Sequence, residues 1–323
     1  MKNLIFLISP PRAGSSLTQQ IINAHPAVYS LPEPWLLLPL VYLLKKDEDG
    51  TNCYDQDYAK ISLERFLAAT PNIRKSFIEK IKNLALKIYK ESMLNEDAIY
   101  FLDKTPRYYH IIDDLLEWFP NAKLILLSRN PAAVFCSMMD YNFSGRVDWL
   151  QRTDRFHDLC TSFQKMSEFK DHPRVLYLRY EDLVTDTEAT TINIFKYLDL
   201  EINDKIKNGH YELNVFFNQT DSIDKKSVKR HNKPVSDYVE SWKNSIDTYQ
   251  KKRLLLEYFN SLEEDVINNL GYSFLSIKND IERLKVPWRP LYIPFKLISH
   301  NYGKKLTSRQ YLLLVLLQKI LKR

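Results

Sequence analysis

Short apolar, β-branched or aromatic runs alternate along the chain with longer stretches of helical period. The short runs predict strands over 4–8, 27–30, 98–102, 123–127 and 175–178. Between them, apolar residues at helical spacing predict helices over 15–24, 35–45, 73–94, 109–118, 132–140 and 149–170. Strands and helices in alternation imply an α/β fold, with a central parallel sheet flanked by helices on both faces. After Leu178 the pattern turns largely helical, with 181–198 and 235–270 as the main segments. Between those two, 202–233 is polar and lacks apolar periodicity, as either a loop over a site or a solvated connection would. No internal repeat of 20–50 residues stands out.

Composition narrows this picture. The 323 residues are 45% hydrophobic and 27% charged, values of a folded globular chain. Only six are glycine, so Gly14 carries more information than a glycine in a richer chain. Net charge is +6, yet 278–323 holds 11 Lys/Arg against two acids, leaving the first 277 residues at −3. The basic excess belongs to the tail, which excludes a general nucleic-acid coat. No apolar run reaches the ~20 residues that span a bilayer. The opening "MKNLIFLIS" is read as a first buried strand and not as a leader, because Pro10, Pro11 and Arg12 follow at once. Cys53, Cys136 and Cys160 show no metal-ligand spacing and are read as reduced thiols of a cytoplasmic protein.

A parallel sheet binds ligands beyond the carboxyl ends of its strands, so candidate chemistry is sought there. The first strand ends in "SPPRAGSSL". A helix start offers unpaired N–H groups and a positive dipole end. Gly14 permits close backbone approach, Ser15 and Ser16 add hydroxyls, and Arg12 brings a planar cation suited to phosphate or sulfate. Its nearest alternative is a plain strand-to-helix turn capped by serine. The strand at 98–102 is followed by Asp103, which could hold magnesium in a nucleotide-dependent kinase, and by Lys104, a cation for the same edge. In "LSRNPAAVFCS", Asn130 and Pro131 suit a helix start, with Arg129 before it and Ser137 two turns on. The last strand delivers Arg179 and Tyr180, then Glu181 and Asp182, which fit the first turn of a helix. Strand ends that present Arg, Lys, Arg and Tyr expect a ligand with at least two anionic groups.

These residues together resemble the sulfotransferases that use 3′-phosphoadenosine 5′-phosphosulfate (PAPS), in their bacterial and tyrosylprotein-type branches. "SPPRAGSSLTQQIINAHP" is similar to the family's 5′-phosphosulfate loop, and "LSRNPAAVFCS" to its 3′-phosphate element. "DKTPRYY", "LRYEDLVTD" and "KPVSDYVESWK" are further landmarks, in the family's order. The resemblance implies a P-loop-like parallel sheet, a sulfotransferase domain over 1–272 and an extension over 273–323 ending in a basic amphipathic helix. It implies that Arg12, Ala13, Gly14, Ser15 and Ser16 hold the 5′-phosphosulfate, that Arg129 and Ser137 hold the 3′-phosphate, and that Tyr180 and Ser227 contact the nucleotide. It further implies that Glu33, eight residues after His25, is the general base, with Lys104 and Arg12 stabilising developing charge without a metal. Two positions depart from the pattern: Ala13 stands where serine is common, and Tyr141 stands where some relatives carry another arginine. Arg146, Arg230 and Lys233 are candidates to replace that charge. The implied acceptor is a small molecule, carbohydrate or lipid, of a kind the sequence does not encode. The basic C-terminal helix either packs on the domain or meets a membrane surface.

Overall fold

In the chain as built by sequence, the apolar runs become five parallel strands: β1 (Asn3–Ile8), β2 (Val28–Ser30), β3 (Tyr100–Lys104), β4 (Lys123–Ser128) and β5 (Val175–Arg179). Their order across the sheet is β2-β3-β1-β4-β5. The structure is a computed structural model that describes residues 3–44, 56–143, 152–202, 206 and 234–286. Ser227, Arg146, Arg230, Lys233 and the basic C-terminal helix lie outside the described residues.

Central strands covered on both faces read as continuous apolar runs, as "NLIFLI" and "KLILLS" do. Alternate residues then serve two cores. Leu4, Phe6, Ile8, Phe101, Leu124 and Leu126 face one layer of helices; Ile5, Leu7, Tyr100, Leu102, Ile125 and Leu127 face the other. Strand β3 starts and ends two residues later than the sequence pattern predicts. Its ladder to β1 pairs Phe6 with Asp103 and Leu7 with Lys104, so two charged residues belong to the strand itself.

The helices follow the sequence pattern with local exceptions. Helices α1 (Ser15–Asn23), α2 (Leu37–Tyr42), α3 (Gln56–Ala68) and α4 (Ile73–Glu91) precede β3. The segment at α3 was not foreseen, since its Ile61 and Phe66 point to solvent and leave little apolar stripe to read. The expected start of α2 at Trp35 fails because Trp35 takes φ 52°, outside helical space. A 3₁₀ turn (Pro106–Ile111) leads into α5 (Ile112–Trp118), and α6 (Pro131–Phe143) and α7 (Arg152–Phe169) flank β4 and β5. Asp158 of α7 pins the 3₁₀ turn, taking bonds from Arg107 Nη2 at 2.7 Å and from the Tyr109 hydroxyl. Burial works against its charge, but contacts with His110, Arg107 and Tyr109 outweigh it and hold the carboxyl below its usual range.

Past β5, each long expected helix is broken by a capping residue. The stretch 181–198 divides into α8 (Tyr180–Thr185) and α9 (Thr187–Tyr197), because Asp186 leaves helical geometry and accepts the Ala189 N–H. The stretch 235–270 divides into a 3₁₀ turn (Ser236–Tyr238), α10 (Trp242–Ser245), α11 (Tyr249–Asn260) and α12 (Glu264–Asn269), with Thr248 capping α11 through the Lys251 N–H. Helix α13 (Phe274–Arg283) buries Phe274, Ile277 and Ile281 in the first core, beyond position 272, and the compact unit runs Met1–Pro287. Among the described residues no helix is long and apolar enough to cross a membrane.

Candidate active site

The strand order makes β1 the switch point of the sheet: β3 lies on one side of it and β4 on the other. The loop after β1 therefore opens into the crevice where such folds bind ligands. Arg12 and Gly14 both take positive φ, 71° and 99°, and turn the chain sharply before α1. The N-cap position of α1 is taken by left-handed Gly14, which has no side chain to cap the helix. No acid stands in the first turn, so no carboxylate of the helix itself neutralises its N-terminal dipole. Ala13 is fully buried, with its N–H bonded to Pro10 O at 3.3 Å.

Gly14 is required for two reasons. Its φ disfavours any side chain, and a Cβ there would stand 2.4 Å from Cδ2 and 2.8 Å from Cε2 of Tyr180. Tyr180 is buried, so its ring cannot swing aside without opening the core. Gly14→Ala is expected to lower folding stability by about 1–3 kcal/mol, read by chemical denaturation.

The Tyr180 ring joins the first loop to the second cationic element. Arg129 lies over that ring with its guanidinium carbon 4.3 Å from the centroid, and donates from Nη1 to Arg12 O at 3.4 Å and from Nη2 to Tyr238 O at 3.0 Å. Its Nε is buried with no hydrogen-bond partner among the described residues. Arg12 Nε reaches the Ser137 hydroxyl at 3.5 Å, so the loop after β1 meets α6. Ser137 is half-buried in a helix whose neighbouring residues are nearly all buried. Burial pushes the Tyr180 phenol up, against the pull of Arg129, so it remains a neutral donor.

The start of α6 is held from the first turn of α8. Asn130 Oδ1 caps it through the Ala132 N–H at 2.9 Å, while Glu181 Oε1 accepts the Asn130 N–H at 2.9 Å. Glu181, expected only as a partner for its own helix dipole, also accepts the Tyr272 hydroxyl at 2.9 Å. Arg179 turns away from the crevice, donating to Gly271 O at 2.6 Å and to Asp182 at 3.2 Å.

At the β3 end, Lys104 and Glu33 form an ion pair of 2.7 Å, with side-chain exposures of 4% and 24%. A lysine so buried needs a partner, and Glu33 supplies it. The second carboxylate oxygen accepts the Trp35 indole N–H at 3.1 Å. Asp103 belongs to the opposite face of β3 and is completely buried. Burial pushes its carboxyl up, opposed by bonds from Tyr89, Thr105 and Tyr108. Enclosed by those hydroxyls, it has no path to the crevice, and the magnesium-holding alternative loses its residue. Among the described residues no group of three His, Cys, Asp or Glu is placed to hold a metal.

Arg12, Ser137, Arg129, Gly14 and Tyr180 are thus brought together, and Glu33 with Lys104; the bond from Ser9 N–H to Pro106 O at 3.4 Å ties the first loop to the segment after Lys104. Sequence reasoning gave no role to Trp35, Thr105 or Tyr108, although the last two lie inside the "DKTPRYY" landmark. The profile of the sulfotransferase family matches residues 4–204. The chain belongs to the sulfotransferase family. A sulfotransferase-family relative from Drosophila melanogaster, protein-tyrosine sulfotransferase, is 23% identical over 75% of this chain and 47% of its own length. The nodulation protein NoeE of Sinorhizobium fredii is 30% identical over 42% of this chain and 30% of its own length. This sulfotransferase-family chain therefore spans less than half the length of either relative. Among solved structures, the sulfotransferase domain of the Synechococcus PCC 7002 olefin synthase superposes with a TM-score of 0.55 at 22% identity, over 84% of this chain and 95% of that one. It has the same fold.

Proposed function

We propose that the protein transfers a sulfuryl group from PAPS to a hydroxyl or amine of an acceptor, with Glu33 as general base. The observation that carries this reading is the Glu33–Lys104 pair, 2.7 Å long, on the sheet edge that also gathers Arg12, Ser137 and Arg129. PAPS, when bound, supplies an activated sulfuryl group on a phosphate leaving group. The residues suit a ligand with two anionic groups: no acid stands in the first turn of α1, and the buried Arg129 Nε has no hydrogen-bond partner among the described residues. Arg12, Ala13, Gly14, Ser15 and Ser16 would hold the 5′ side, and Arg129, Ser137 and Tyr180 the 3′-phosphate and nucleotide. Ser227 is carried over on the resemblance alone.

Each chain group has a definable task. A carboxylate has about four lone-pair positions, and Lys104 and Trp35 occupy two of Glu33's. The rest can accept the acceptor's proton. Lys104 and Arg12 place fixed cationic donors where negative charge grows, without reorganisation of solvent. A sulfuryl group carries less charge than a terminal phosphoryl, so protein cations serve where kinases use magnesium.

Transfer of labelled sulfate from PAPS, assayed against small alcohols, phenols, sugars, lipids and tyrosyl peptides, tests the activity directly. Labelling of none of them, with thermal stabilisation by ATP-magnesium and not by 3′,5′-bisphosphoadenosine (PAP), would overturn it. Arg129→Ala is expected to weaken PAP binding by roughly 10–100-fold, the worth of a bond between charged groups. Unchanged affinity by titration calorimetry would remove Arg129 from the 3′-phosphate.

A further inference from the structure

Asp103 has no contact with the crevice, yet its bonds lead to the loop that carries Glu33. Its Oδ1 accepts the Thr105 hydroxyl at 2.7 Å; its Oδ2 accepts the Tyr89 hydroxyl at 2.6 Å and the Tyr108 hydroxyl at 2.9 Å. Two of those three hydroxyl oxygens accept in turn from backbone just beyond the base. Thr105 Oγ1 takes the Trp35 N–H at 3.3 Å, and Tyr108 Oη takes the Leu37 N–H at 3.0 Å. A hydroxyl has a single proton. By accepting that proton, the carboxylate turns the lone pairs of Thr105 and Tyr108 toward the two amides.

The loop needs such fixing. Trp35 has φ 52°, a conformation that a bulky side chain holds only when its surroundings over-determine it. Held there, its indole N–H reaches Glu33 Oε2 at 3.1 Å, while Lys104, the next residue after Asp103, holds Oε1. Adjacent residues of one strand thus grip Glu33 from two sides, Lys104 directly and Asp103 through the loop backbone.

We infer that Asp103 is a positioning residue which, through Thr105 and Tyr108, locks the 33–37 loop and so sets the Glu33 carboxylate. This rests on the reading of Glu33 as base and deepens it. Thr105→Val and Tyr108→Phe each delete one relay hydroxyl, whereas Tyr89→Phe deletes a bond to the same carboxylate from a hydroxyl that takes neither loop amide. Three quantities are read: hydrogen–deuterium exchange of a peptide covering 33–38, turnover with PAPS and the best panel acceptor, and PAP affinity.

Thr105→Val and Tyr108→Phe are expected to speed exchange at 33–38 and to lower turnover by about tenfold or more, since a shift of about 1 Å at a reacting group can cost about 10²-fold. PAP affinity stays unchanged in both, and Tyr89→Phe leaves exchange and turnover as they were. Equal losses in Tyr89→Phe would reduce Asp103 to a stabilising role and overturn the inference. So would wild-type exchange in both relay variants, even with Glu33→Gln inactive, an outcome that leaves the base in place. Fast exchange in the relay variants with full turnover in Glu33→Gln would overturn the base reading, and with it the catalytic value of the lock. Asp103→Asn is a stronger change, but the single-hydroxyl variants decide the matter even where it fails to fold.

Discussion

Glu33→Gln is expected to lower turnover by about 10²–10⁴-fold, the usual worth of a general base, while PAP binds as before. The substitution keeps the side chain's length and leaves one oxygen to accept from Lys104 or Trp35. It replaces the other oxygen with an amide nitrogen, which cannot accept a proton at neutral pH. Glu33 bonds to Lys104 and Trp35 and not, among the described residues, to Arg129, Ser137 or Tyr180, so the nucleotide side is not disturbed. Stability should fall as well, because Lys104, with 4% of its side chain exposed, loses its counter-charge. The two effects separate by measurement: turnover and PAP affinity in one assay, thermal unfolding in another. Near-normal turnover in a variant that still binds PAP would remove Glu33 as the base.

The elements that place this site were legible in the sequence where burial alone decides structure. Parallel strands covered on both faces must be apolar throughout, so β1 and β4 announce themselves. Their ends then direct attention to Arg12 and Arg129 without knowledge of their partners. The pattern failed at β3, because apolar periodicity stops at Leu102 while pairing to β1 carries the ladder on to Lys104. That error hid the distinction between two adjacent charges. Inside a strand, Asp103 and Lys104 must face opposite sides; read as a loop they seemed alternatives for one role. Glu33 was placed by resemblance, since a carboxylate between two prolines has no pattern of its own. The left-handed backbone of Trp35 left no trace, and the hydroxyl that takes its N–H belongs to Thr105, 70 residues away. The long helices of the C-terminal part were misread for a related reason. Thr248 and Asp186 interrupt an apolar period without altering it, and only their cap bonds reveal the break.

Lys104→Met should cost about 10²–10³-fold in turnover, the range seen when one preorganised donor is lost from a developing anion. Its effect on stability should run the other way. Lys104 lies on the buried side of its ion pair, and Glu33 lies toward solvent, at 24% exposed. Methionine fills nearly the same volume and removes a charge whose burial is costly, while the carboxylate left behind can be hydrated. Thermal unfolding is therefore expected at an unchanged or higher temperature. This asymmetry separates a functional charge from a structural one: a structural ion pair loses stability when its buried member is removed and leaves chemistry alone. Lys104→Arg adds a second test. A planar guanidinium keeps the charge but cannot take the position of a compact ammonium at the end of a straight stem. It should rescue little turnover. A stable Lys104→Met with wild-type turnover would leave charge stabilisation to Arg12. A large fall in melting temperature would instead make the pair a brace between β3 and the 33–37 loop, a role in which Asp103 and Lys104 would share one task from opposite faces of the strand.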